Sequence, residues 1–125
     1  MKKIIDTPHA PKAVGPYSQA VDTGNMLFVS GQLGIDPATG SLVSEETTAQ
    51  AEQVLKNVRA IVEAAGYVMD NVVKATVFLA DIEDFVAVNR IYKTYFTTDY
   101  PARAAYEVGA LPLGGKVEIE VIAVK

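Results

Sequence analysis

"AEQVLKNVRAIVEAAGYVMDNVVKATVFLA", from Ala51 to Ala80, changes its hydrophobic period halfway along, and that change decides the fold. Ala51, Val54, Leu55, Val58, Ile61, Val62 and Ala65 recur three and four residues apart, which places them on one face of a helix. Gly66 stops that helix. Upstream, Ser44 is the expected N-cap, with Glu45 and Glu46 suited to the positive end of the helix dipole. From Val72 to Ala80 the period drops to two, so Val73, Ala75, Val77 and Leu79 are expected on one strand face, with Lys74 and Thr76 opposite. A one-sided helix running into a strand implies helices laid on a sheet.

Working outward towards the N-terminus, "GPYSQAVDTGNMLFVSGQLG" (Gly15–Gly34) carries two strand-like runs around Thr23-Gly24-Asn25, a hairpin signal. Gly31 and Gly34 are expected to let the chain leave the sheet, and "DPATG" (Asp36–Gly40) to form a turn. In the other direction a second helix is expected from about Asp84 to Thr97, with Phe85, Val88, Tyr92, Tyr95 and Phe96 on its inner side. Pro101 ends it, and two strands follow, about Arg103 to Val108 and Lys116 to Val124. The order ββ-α-β-α-ββ predicts an α+β fold, a mixed β-sheet with both helices packed on one face. No linker, repeat or low-complexity stretch interrupts the 125 residues, so residues 1–125 are read as one domain.

Composition excludes several functions. Half the residues are apolar and 21% charged, and the net charge of −4 offers no general attraction to nucleic acid or an anionic membrane. Apolar runs such as "VIAV" are far too short to span a bilayer, and "MKKIIDTPHAPK" lacks the apolar stretch of a secretion signal, so a cytoplasmic location is expected. There is no cysteine, which removes thiol nucleophiles and thiolate metal sites. The single histidine, His9, sits between Pro8 and Ala10 and reads as a solvated loop residue. No Ser-His-Asp arrangement or multi-histidine zinc site is in prospect, and no metal or organic cofactor is expected. "GALPLGGK" (Gly109–Lys116) imitates a phosphate-binding loop, but Ala110 and Val117 stand where that motif needs Gly and Ser or Thr, and no helix follows.

Chemistry therefore falls to carboxylates, Arg, Lys, Tyr, hydroxyls or backbone groups. The closing stretch, "YPARAAYEVGALPLGGKVEIEVIAVK" (Tyr100–Lys125), sets them among apolar residues. Arg103, Ala105 and Glu107 share a strand face; Glu118 and Glu120 share the face opposite Val117, Ile119 and Val121. One reading is a solvated edge with a surface ion pair, which contributes little. The other is a small pocket in which Arg103 binds an anion and a glutamate handles water or protons, the alanines leaving room beside the guanidinium. Ile122 and Val124 lie on the face the helices do not cover, which points to a partner subunit.

The chain also resembles, over essentially its whole length, the reactive-intermediate deaminase family (RidA, also called YjgF). The resemblance rests on "GPYSQA", "LFVSGQLGIDPATG", "NVRAIVEAAG", "VVKATVFLADIEDF", "VNRIYKTYF" and above all "PARAAYEVGALP" followed by "VEIE". It implies a chorismate-mutase-like homotrimer with ligand clefts between subunits. It also implies metal-free hydrolysis of 2-imino acids and their enamine tautomers to 2-keto acids and ammonia. Carried over by position, Arg103 clamps the substrate carboxylate, Glu118 is the acid associated with the water, and Tyr17 lines the pocket. The backbone at Ala105 contacts the nitrogen or keto end, and Gly31 also lies in the pocket. Ser30, Gln32, Asn89 and Glu120 are read as structural. Many close members carry cysteine in place of Ala105 and an aliphatic residue in place of Tyr106, a departure that bears on pocket size. Two rival functions stand beside this one: an endoribonuclease or translation inhibitor, and a non-catalytic, chaperone-like binder of 2-keto acids using the same cleft.

Overall fold

In the computed structural model, which describes residues 1–125, the chain enters through a strand the sequence pattern did not announce. Strand β1 (Lys3–Ile5) pairs antiparallel with β2 (Ala20–Asp22), and β2 turns through Thr23–Asn25 into β3 (Met26–Leu33). Gly24 makes that hairpin possible: its φ of 115° is a left-handed conformation open mainly to glycine, and its N–H donates to Asp22 Oδ1 at 2.8 Å. A minor pair, β4 (Ile35–Asp36) and β5 (Ser41–Leu42), brackets the expected turn. There follow α1 (Thr47–Ala64), β6 (Val72–Leu79), α2 (Phe85–Tyr95), β7 (Ala102–Glu107) and β8 (Val117–Val124). The main sheet runs β1-β2-β3-β8-β6-β7, antiparallel except for β6 with β7, so the fold is α+β on a mixed sheet as expected.

The helices cover one face of the sheet. Val54, Leu55, Val58, Ile61 and Val62 of α1 are fully buried in one core with Val117, Ile119 and Ala123 of β8 and Ala75 and Leu79 of β6. Side chains of this size contribute about 1.5–3 kcal/mol each on burial. Val88, Tyr92 and Phe96 complete the core from α2. No helix is long and apolar enough to cross a membrane. Two buried amides tie α1 to irregular chain. Asn57 Nδ2 donates to the carbonyls of Leu33 (3.1 Å) and Ile35 (2.9 Å), and Gln50 Oε1 accepts from Lys116 N at 2.8 Å.

Local details depart from the sequence reading. Helix α1 begins at Thr47 with Glu46 at its N-cap and no side-chain cap; Ser44 instead accepts from Glu46 N at 3.0 Å and from Gln50 Nε2 at 2.8 Å, a polar turn ahead of the helix. Val73 is 46% exposed, because the register slips between Val72 and Lys74 and the extra residue puts Val72, not Val73, on the core face. Gly31 stays within β3 rather than ending it. Strands β7 and β8 are not neighbours, since β6 lies between them. The uncovered face carries Phe28 (42% exposed) and Tyr106 (56%), with Phe78, Ile122 and Val124 partly exposed beside them.

Candidate active site

Pairing across β6 settles which way the charged residues look. Arg103 and Val121 both stand opposite Ala75, a buried residue, so Arg103 leaves the sheet on the helix side. Glu118 and Tyr106 both stand opposite Phe78, so Glu118 leaves on the uncovered side. Within one chain the sheet separates the two groups that the resemblance pairs at one site.

Arg103 sits on the edge strand and leans on α2. Its Nη1 donates to Asn89 Oδ1 at 2.6 Å, and its guanidinium carbon lies 4.7 Å from the centre of the Tyr92 ring and 5.3 Å from that of Phe85. Both contacts are within cation–π range. Phe85, Asn89 and Tyr92 line up because positions i, i+4 and i+7 share a helix face. The hollow in front of the guanidinium, about 480 Å3, is lined by Asn89, Tyr92, Lys93, Tyr100, Pro101 and Arg103. It has two cations and no carboxylate. Burial pushes the Tyr92 phenol above its ordinary range, while the charge of Arg103 works in the other direction; its hydroxyl is buried without a hydrogen-bond partner. Ala105 turns its side chain towards the core beside Val77, which leaves only its edge-strand backbone for a ligand.

On the other face a larger hollow, about 720 Å3, brings together Tyr17, Gly31, Glu118, Glu120, Ser30 and Lys12. A register break in β3 between Val29 and Gln32 shapes it. Ser30 is held at the break by Ser30 Oγ donating to Ser18 O at 2.6 Å and Ser30 N donating to Gln19 O at 2.9 Å. That bulge sets Gly31 against Glu118: a Cβ on Gly31 would stand 2.7 Å from Oε2 and 2.9 Å from Cδ of the carboxylate. Glu118 is half-buried and its carboxyl is pushed above the usual glutamate range, first by burial and second by the charge of Glu120. Tyr17 is 51% exposed, so it is a rim residue, not part of the core. No group of three or more His, Cys, Asp or Glu side chains is placed to hold a metal ion.

The resemblance puts Tyr17, Gly31, Glu118, Arg103 and Ala105 in one pocket; within one chain the first three share a hollow, and Arg103 and Ala105 lie on the other side of the sheet. Sequence reasoning missed Asn89 and Tyr92 as neighbours of Arg103. The available signal was a polar residue inside an aromatic stripe at 85, 89 and 92, which the core reading of α2 passed over.

The family model described as Endoribonuclease L-PSP matches residues 7–125. The goat 2-iminobutanoate/2-iminopropanoate deaminase is 57% identical over 125 residues, covering 100% of this chain and 91% of its own. Among solved structures, RidA from an Antarctic Psychrobacter has a TM-score of 0.95 and 51% identity over 98% of this chain and 99% of its own. The Escherichia coli protein TdcF, solved with bound serine, has a TM-score of 0.94 and 45% identity over 98% of each chain. A match that spans the helices, the mixed sheet and both hollows leaves one conclusion: the chain belongs to the endoribonuclease L-PSP family, the RidA or YjgF reactive-intermediate deaminases.

Proposed function

We propose that the protein is a metal-free 2-iminobutanoate/2-iminopropanoate deaminase, a cytoplasmic homotrimer of chorismate-mutase-like, single-domain chains. It hydrolyses 2-imino acids, formed from enamines such as 2-aminoacrylate, to 2-keto acids and ammonia. The observation that carries this reading is the state of Arg103. Its guanidinium is half-buried, bonded to the neutral oxygen of Asn89, and faces a hollow with no carboxylate to neutralise it. Such a group is preset for a carboxylate, whose two oxygens match the guanidinium fork. Serine bound to TdcF is a ligand of that carboxylate class.

Glu118 lies on the other side of the sheet, so the working cleft takes Arg103 and the Ala105 backbone from one copy and Tyr17, Gly31 and Glu118 from the next. The partly exposed Phe28, Phe78, Ile122 and Tyr106 support this arrangement, since they form the apolar surface that such contact would cover. Once protonated, the imine carbon is electrophilic, and what it lacks is a held water and a base. Water adds to that carbon while Glu118 accepts one of its protons, giving a carbinolamine. The carboxyl returns that proton to the amino group, and as the C–N bond breaks the hydroxyl proton passes to the freed carboxylate. This leaves the keto acid and ammonia, which takes up that proton as ammonium. A glutamate raised above its ordinary range is better matched to this exchange near neutral pH than an ordinary one.

The test is release of keto acid and ammonia from a freshly generated imino acid, with spontaneous hydrolysis subtracted. Arg103→Ala should lose about 3 kcal/mol of transition-state binding, roughly a hundredfold in rate, with Arg103→Lys between it and the parent. Hydrolysis by Arg103→Ala at the parent rate would overturn the site. Pyruvate binding without any acceleration would make the protein a binder, and RNA cleavage by nuclease-free material would favour the activity in the family's name.

A further inference from the structure

We propose that Asn89 and Tyr92 are positioning residues: helix α2 carries a preformed seat that aims the Arg103 guanidinium before any ligand arrives. The inference rests on the deaminase reading above and adds two residues to it. An arginine at the end of a flexible stem loses rotamer freedom whenever it grips a ligand, and a side chain already fixed avoids that loss at the moment of binding. Here two contacts of different kinds do the fixing. The Asn89 oxygen at 2.6 Å sets the guanidinium in its own plane, and the Tyr92 ring at 4.7 Å sets the tilt of that plane. Phe85 closes the same side at 5.3 Å. Asn89 occupies one donor of the five a guanidinium carries, and Arg103 lines the hollow where a ligand would meet the others.

The neutrality of Asn89 is the decisive chemical detail. An aspartate would make the same bond more strongly but would pair with the guanidinium and repel an incoming carboxylate. Asparagine holds the arginine and leaves its charge free. The Tyr92 hydroxyl has no partner, so the ring face, not the phenol, is what Tyr92 supplies to Arg103.

The test measures pyruvate affinity, and KM against kcat for imine hydrolysis, in the full chain. Asn89→Ala should raise the pyruvate Kd and the KM about tenfold with kcat less affected, because a misaimed clamp weakens capture by up to about 10²-fold. Asn89→Asp, although nearly isosteric and still an acceptor, should bind pyruvate more weakly than Asn89→Ala. A merely structural asparagine gives the opposite order. In an Arg103→Ala background Asn89→Ala should not lower affinity further, because there is no guanidinium left to aim. Tyr92→Leu, which removes the ring over the guanidinium, should also raise the pyruvate Kd, and parent-like binding by it would overturn the part given to Tyr92. Asn89→Asp binding as well as the parent, or better than Asn89→Ala, would overturn the inference while leaving the deaminase reading intact. Loss of any Arg103→Ala phenotype would overturn both.

Discussion

Glu118 and Glu120 stand on the same side of β8, the first half-buried and the second exposed. Burial and the neighbouring charge both hold Glu118 in its protonated form longer than an ordinary glutamate. A base with a raised value loses activity early as pH falls, so the acid limb of kcat/KM should lie above the ordinary glutamate range. Replacing Glu120 with glutamine removes one of the two causes. A pH–rate profile of Glu120→Gln should therefore show the acid limb moved to lower pH, with burial keeping it from a full return. An unmoved limb would assign it to another group. By linkage the same elevation favours the folded state most below the unfolded glutamate value, and that support fades as pH rises through the folded value. At this scale the sequence offers Arg103, Glu118, Tyr17 and Gly31 as candidates because they sit in the motifs that carry the family resemblance. The Asn89–Arg103 bond was not readable, because it depends on how α2 lies across β7.

Among the elements, α1 and the period-two face of β6 were legible because burial imposes one period at a time over many residues. Their ends were not. A cap or a bulge is decided by a single residue: Glu46 stands at the N-cap where Ser44 was expected, and Val72 faces the core where Val73 was expected. Strand β1 was unreadable for another reason: three residues carry no period, and its pairing partner lies well downstream. Asn57 shows what holds such irregular chain. It is fully buried, interrupts the apolar stripe of α1, and satisfies two carbonyls just beyond the bulge of β3. Asn57→Ala should take one buried donor from each of two carbonyls and lower stability by about 3 kcal/mol, read as a fall in the denaturant midpoint at unchanged m-value. A loss within about 0.5 kcal/mol, the usual range for surface changes, would mean that water replaces the amide.

For the whole molecule, the sequence indicated that a second surface existed but not how it is used. Ile122 and Val124 marked an uncovered face; only the pairing across β6 revealed that Arg103 and Glu118 look away from each other. If the clefts form between copies, the parent should sediment at three times 13.4 kDa. Arg103→Ala and Glu118→Gln, each nearly inactive alone, should then regain activity when unfolded and refolded together. Random assortment gives about a quarter of the clefts an intact Arg103 and an intact Glu118. No recovery in mixed assemblies would return both residues to one chain. A cleft shared between copies would also carry a genetic consequence. Two null alleles of the same gene, one defective in the clamp and one in the acid, would support growth together in a cell where neither does so alone. An allele carrying both defects would complement neither of them.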